Sequence, residues 1–269
     1  MPDPVLRDAA GTIHAPASGD VRIVSLVPSI TELLFDLGVG DRVVGRTPFC
    51  IHPRDGVANV PRVGGTKTPR LDRIRALEPT HVIVNVDENR REDADALAAF
   101  VPNVVVTHPL DPRDNPALYR LIGGIFTDRD ATERLCRAFE CALAATESAA
   151  SGFPERRVLY LIWRDPWMTV SRDTYVSRTL ALVNFRTAGD DSRSRYPELE
   201  LTADLLAGVD LVLLSSEPFP FKERHIAEIR TSAGARCPTI RLFDGEMASW
   251  YGSRAIQAMD YLARFAAGP

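Results

Sequence analysis

VRIVSLVPSITELLFDLG, residues 21–38, is the stretch that decides the fold, and RVLYLI, residues 157–162, answers it in the second half of the chain. Residues 22–27 make a short apolar run without strict alternation, the pattern of a strand covered on both faces. A helix over residues 30–37 follows, opened by Ser29 with Glu32 three residues on, the spacing of a capping box, and closed by Gly38.

Working outward, strands and helices keep alternating. A strand is expected over residues 42–45, a helix over 71–77 stopped by Pro79, a strand over 81–85, a helix around 92–99 and a strand over 103–107. The second half repeats this order: RVLYLI lies over RIVSLV, residues 176–182 supply the first helix, and LTADLLAGVDLV (201–212) lies over LDRIRALEPTHV (71–82). Residues 211–214 then correspond to 81–84, and 239–243 to 103–107. The repeat is one of pattern, with few identical residues, and it implies two similar α/β lobes with parallel sheets. Between them, residues 130–149 carry Leu135, Phe139, Ala142 and Ala145 at helical spacing. A helix of this length spans about 30 Å and is expected to join the lobes as a stiff strut.

Composition sets the outer limits. With 269 residues, 45% hydrophobic and 25% charged, the chain has the material for one or two domains. A formal charge of −4 and a pI near 5.8 give no basic field for nucleic acid or an anionic membrane surface, and no dense Lys/Arg run supplies one locally. No apolar stretch reaches the roughly 20 residues of a membrane span, and residues 1–21 hold Asp, Arg and Gly where a secretory core would lie. The expectation is no membrane insertion and a cytoplasmic address as written, or a periplasmic one where a native leader is missing from the sequence. Cys50, Cys136, Cys141 and Cys237 lack zinc-type spacing and read as reduced, mostly structural thiols.

All three tryptophans sit in two polar-flanked segments, LIWRDPWM (161–168) and DGEMASWYGSR (244–254). Parallel sheets bind ligands beyond the carboxyl ends of their strands, so the residues at those ends are read together. The first lobe offers Phe49, Cys50, His52, Asn85, Asp87, Glu88, Asn89 and His108, and the second Trp163, Arg164, Trp167, Glu217, Phe219, Glu246, Trp250 and Tyr251. The expectation is a cleft with an aromatic wall on the second lobe and a hydrogen-bonding wall on the first.

These residues carry a resemblance. VRIVSLVPSITELLFDLGVGDRVVGRTPFC, VPRVGGTKTPRLDRIRALEPTHVIVN and the long helix resemble the cobalamin (vitamin B12)-type substrate-binding proteins of ABC importers, of the TroA-like or helical backbone metal receptor superfamily. The resemblance runs from Arg22 to about Phe265 and implies a class III periplasmic-binding-protein-like fold, two Rossmann-like lobes joined by one long backbone helix. Domain limits are then an N-terminal extension at 1–21, a first lobe at 22–112, a linking helical segment at 113–153 and a second lobe at 154–269. It also implies reversible binding of a corrinoid or another metal chelate, with no intrinsic cofactor, and an ABC permease as partner. In such proteins one acidic residue per lobe docks to the permease; Asp72 in PRLDRIRAL is the first-lobe candidate, and Glu200 or Asp204 the second. The ordinary reading of all three is a solvated carboxylate, for Asp72 at a helix start.

A large flat ligand stacks well on aromatic rings, which makes Phe49, Trp163, Trp167, Phe219, Trp250 and Tyr251 candidates for packing. Trp163, which closes a strand, has the strongest competing claim to be core. Arg164, Asn85, Asn89 and Glu246 suit amides or carboxylates at the rim, with an interlobe salt bridge as the plain alternative for Arg164 and Glu246. A bare zinc or manganese site would need His52 or His108 with Glu88 or Glu246. Enzyme readings fare worse. GDRVVGRT (40–47) imitates a P-loop, but Arg46 replaces the lysine and the segment runs through a strand. Ser29 reads as a helix cap before it reads as a nucleophile. Asp87, Glu88 and Glu217 could form an acid–base set, but adjacent acids in a loop are more often solvated, so no catalytic residue is expected, and a cytosolic enzyme or regulator of cofactor metabolism on the same scaffold is the alternative.

Overall fold

The chain, as a computed structural model, is described at residues 5–188, 194–233 and 236–268. It opens with a hairpin of β1 (Leu6–Arg7) and β2 (Ile13–His14), then β3 (Ile23–Ser25), α1 (Pro28–Asp36), β4 (Val43–Arg46), α2 (Arg54–Val57), a second hairpin of β5 (Gly64–Gly65) and β6 (Thr68–Pro69), and α3 (Leu71–Ala76). Next come β7 (His81–Asn85), α4 (Arg91–Ala98), β8 (Asn103–Thr107), α5 (Asn115–Phe126) and α6 (Arg129–Ala150). The second half supplies β9 (Arg156–Trp163), β10 (Met168–Thr169), α7 (Tyr175–Ala181), β11 (Phe185–Thr187), α8 (Ala203–Ala207) and β12 (Leu211–Ser215). It ends with α9 (Glu223–Ser232), β13 (Thr239–Phe243), α10 (Glu246–Ser249) and α11 (Arg254–Ala267).

Two compact units result. The first comprises the chain up to Pro109, Arg113–Glu140 and Tyr251–Arg254; the second Leu110–Pro112, Cys141–Trp250 and the chain from Ala255 on. In the first, β4-β3-β7-β8 form an all-parallel sheet. All five residues of β7 are buried, which is what two covered faces require. Val24, Leu26, Val63, Ile74, Val82, Val84, Leu97 and Val101 make one of its cores.

In the second unit β11, β9, β12 and β13 are parallel in that order, with β10 added antiparallel to β9. Strand β11 is the counterpart of β4. The sequence hides it because it is a three-residue FRT segment directly behind a helix.

Three local readings change. Helix α1 starts at Pro28, and Val27 is its N-cap without a side-chain bond, so Ser29 does not cap; proline's fixed φ suits the first helical position. The buried stripe of α6 runs through Thr132, Cys136, Phe139, Thr146 and Ala150, and Ala145 is exposed. The N-terminal extension is a packed hairpin where described, its residues 1–4 lying outside the described residues. There the Asp8 carboxylate accepts the backbone N–H groups of Ala10, Thr12 and Val106 and contacts His14 Nε2 at 3.0 Å, while Ala9 N–H donates to Val106. Residues 8–9 thereby cover the open edge of β8.

Behind this hairpin, His81 is 6% exposed, with Nδ1 2.9 Å from Thr80 Oγ1 and its ring edge-on to Phe126. Burial first, and His14 second, push its pKa down from 6.5 to about 4. The unfolded chain therefore takes up this proton at a higher pH than the folded one. Stability should be intact above about pH 6.5 and fall by roughly 3 kcal/mol as pH drops to about 4. Urea unfolding across that window should show the slope in the parent chain and a flatter profile in His81→Asn; equal slopes would refute the assignment.

Candidate functional site

At the carboxyl edge of the first sheet, the loop after β4 is tied from inside. The buried guanidinium of Arg46 donates to the carbonyls of Thr47, Cys50 and Val57 at 2.9–3.1 Å. What imitated a P-loop is thus a structural knot. Cys50 points inward at 0% exposure, its Sγ 3.2 Å from Thr47 Oγ1, and burial pushes its thiol pKa up. Cys50 therefore leaves the rim. Its neighbours Phe49 and Ile51 are turned out at 57% and 48% exposure.

The loop after β7 is built the same way. Asn85 Oδ1 accepts the N–H of Asp87 and of Glu88, its Nδ2 donates to Thr107 Oγ1, and Asn89 Oδ1 accepts the N–H of Asn85 while its Nδ2 donates to the Thr66 carbonyl. Both asparagines are buried. Their amides shape the loop instead of decorating a rim, and what they present outward is Val86, 50% exposed, with Asp87 and Glu88 half-buried beside it.

The segment YGSR returns to this unit. Tyr251 Oη donates to Glu88 at 2.5 Å, Gly252 N–H donates to Asn115 Oδ1, Tyr119 Oη donates to the Gly252 carbonyl, and Arg254 grips Glu32 with two bonds of 2.6 and 2.8 Å. Burial, then the Glu88 charge, holds the Tyr251 phenol well above its ordinary pKa, so it stays a donor. Half-buried His108 lies 3.6 Å from Asp87, and His52 is half-buried. Among the described residues no three His, Cys, Asp or Glu side chains group as a metal site.

The second sheet's carboxyl edge is aromatic. Trp163, the last residue of β9, is 39% exposed and edge-on to Phe219 at 5.8 Å. Phe219 and Phe221 pack at 4.7 Å, and Trp167 lies parallel to Phe221 at 6.0 Å, against the core of Leu159, Leu161, Leu214 and Ile226. Thus Trp163, the one suspected of being core, is the exposed ring, whereas Trp167 packs on core. An open pocket of about 360 Å³ continues this edge, lined by Leu214, Ser216, Phe221, Leu242, Phe243 and Asp244. Arg164 pairs inside its own unit, through Nε and Nη2 with Glu228 and through Nη1 with Asp165.

Glu217 follows β12. Its Oε1 accepts from Ser249 Oγ at 2.6 Å and from Trp250 Nε1 at 2.8 Å, which explains why Trp250 is buried at 7% exposure. Burial first, with Glu246 and Asp244 adding, raises the Glu217 pKa above its ordinary value. Half-buried Glu246 opens α10, its N–H held by Asp244 Oδ1. Away from the strand ends, Asp72 lies exposed at the start of α3 beside Arg70, and Glu200 and Asp204 are exposed near α8. Ile51, Val86 and Leu242 were missed because single apolar residues beside polar ones carry no sequence signal of facing outward.

A family model described as periplasmic binding protein matches residues 23–224. An uncharacterized ABC transporter substrate-binding lipoprotein of Bacillus subtilis is 26% identical over 178 residues, 63% of this chain and only 56% of that protein's length. A vitamin B12-binding protein of Pectobacterium carotovorum is 21% identical over 199 residues, 73% of this chain and 72% of that protein. Among solved structures, the periplasmic heme-binding protein RhuT of Roseiflexus sp. RS-1 in its apo form is similar at a TM-score of 0.78 and 25% identity, over 91% of this chain and 97% of that one. The periplasmic vitamin B12-binding protein BtuF of Vibrio cholerae matches at a TM-score of 0.78 over 91% and 96%, at 16% identity, a likeness of fold.

Proposed function

The chain belongs to the periplasmic binding protein family, and from that premise we propose that it binds a corrinoid reversibly at the strand-end loops of its two sheets and presents it to an ABC permease. Its fold is that of class III periplasmic binding proteins, and the proteins it is similar to are binding proteins, not enzymes.

The observation that carries the reading is the collection of outward-turned apolar side chains at both carboxyl edges, Phe49, Ile51 and Val86 on one sheet and Trp163, with half-buried Phe219 against it, on the other. Apolar side chains left in water at the place where parallel sheets bind ligands cost solvation unless a broad apolar partner covers them. A corrinoid offers such a face. Names of relatives support the class, since vitamin B12-binding and heme-binding proteins both stand among them. We place the binding step in the periplasm, where several of these relatives work, and no helix among the described residues is long and apolar enough to cross a membrane. The exposed carboxylates Asp72 and either Glu200 or Asp204 are the permease contacts in this reading.

Titration of the purified chain with cyanocobalamin, dicyanocobinamide, haemin and a ferric siderophore, followed by tryptophan fluorescence and ligand absorbance, tests it. Saturable quenching by a corrinoid is the expected result. A response to haemin or siderophore with none to either corrinoid would overturn the ligand assignment.

A further inference from the structure

Glu217, at the second sheet's edge, is held through both its backbone and its carboxylate. Ser215, the last residue of β12, donates through Oγ to the Glu217 carbonyl at 2.6 Å and accepts the Glu217 N–H at 3.3 Å, and its own hydroxyl accepts from buried Tyr160 Oη at 2.9 Å. Gly245 closes the other side: a Cβ there would come within 2.8 Å of Glu217 Cγ and 2.3 Å of Ser215 Oγ, so only glycine lets the two loops meet. The carboxyl group is anchored by one oxygen alone. Oε1 takes both donors, Ser249 Oγ and Trp250 Nε1, and Oε2 takes no hydrogen bond from any described residue. A carboxylate has room for about four donors, so half its accepting capacity is left over, fixed in direction. Two residues on, Phe219 sits with Trp163 in the proposed ligand surface.

We infer that Glu217 is a specificity-determining ligand contact, whose Oε2 accepts an amide N–H of the bound chelate and repels ligands that present carboxylates at the same place. This rests on the ligand reading above and narrows it to amide-bearing chelates. A charge-assisted bond to a fixed acceptor favours an amide donor, while a carboxylate brought to the same oxygen leaves two like charges unpaired in a partly buried setting. Arg164, which follows β9, is already engaged by Glu228 and Asp165.

Glu217→Gln is the test. Glutamine keeps an oxygen for Ser249 and Trp250 and replaces Oε2 by a donor. It also removes a charge that burial disfavours, so the variant should unfold at neutral pH no lower in temperature than the parent. Dissociation constants for dicyanocobinamide, whose side chains are amides, and haemin, which carries two propionates, are measured for both proteins. The parent should prefer cobinamide at least tenfold, and the preference should shrink roughly tenfold in Glu217→Gln. A parent that binds haemin as tightly as cobinamide, or a folded variant with an unchanged ratio, overturns the specificity role while leaving ligand binding standing. A parent that binds neither probe overturns the ligand reading, and this inference with it.

Discussion

Arg254→Ala lowers the unfolding free energy by about 3–5 kcal/mol at pH 7, the expected outcome of leaving Glu32 charged and unmatched in a buried setting. The two side chains are only 10% and 13% exposed and share two bonds of 2.6 and 2.8 Å. Burial already raises the Glu32 pKa, and Arg254 is what works against that rise. Without the guanidinium the carboxyl pKa climbs further, so Glu32 gives up part of its penalty by taking a proton as pH falls. The loss should accordingly be largest at neutral pH and shrink in acid. Urea unfolding at two pH values measures it, and a chain of this size should lose on the order of 10 °C in Tm. The double variant Glu32→Gln/Arg254→Ala should recover part of the loss, because the orphaned charge is gone. A single-variant loss below about 1 kcal/mol would mean the pair is solvated like a surface bridge.

That pair also marks the limit of what the sequence reveals. The two sheets were legible because their central strands, IVS at β3, HVIVN at β7 and LVLLS at β12, are continuous buried runs, and burial on both faces leaves its own pattern in the residues. The strand-end rule likewise picked the loops that carry the exposed rings. It did not tell which side chain of a loop turns outward: Phe49, Cys50 and Ile51 alternate out, in and out where Arg46 pins the carbonyls of Thr47 and Cys50. Nor did it tell that Trp250 and Tyr251, neighbours in sequence, are buried by carboxylates 33 and 163 positions away. Local pattern encodes periodicity; it does not encode a partner that distant in the chain. The same reason turned Glu32 from half of an expected capping box into the partner of Arg254.

The largest functional effect is expected from Trp163→Ala combined with Phe219→Ala. In the proposed reading these rings form the contact surface of the second unit, since Trp163 is exposed at the end of β9 and Phe219 leans on it at 5.8 Å. Central aromatic anchors typically contribute 2 kcal/mol or more each when truncated, so the pair should weaken corrinoid binding by about 100-fold or more. The fold should tolerate the loss of Trp163, which already lies partly in water, whereas Phe219 also packs on Phe221 and on the core of Leu159, Leu161, Val212 and Leu214, so its share of the change should lower stability as well without unfolding the chain. Trp167→Ala makes the contrast. That ring lies parallel to Phe221 over the same core and takes Arg164 above it at 5.7 Å. Its removal should cost stability, by roughly 3–5 kcal/mol if fully felt as a core truncation. Fluorescence titration for affinity and urea unfolding for stability separate the two outcomes. Retention of parent affinity by the folded double variant would show that the outward rings are not the ligand surface.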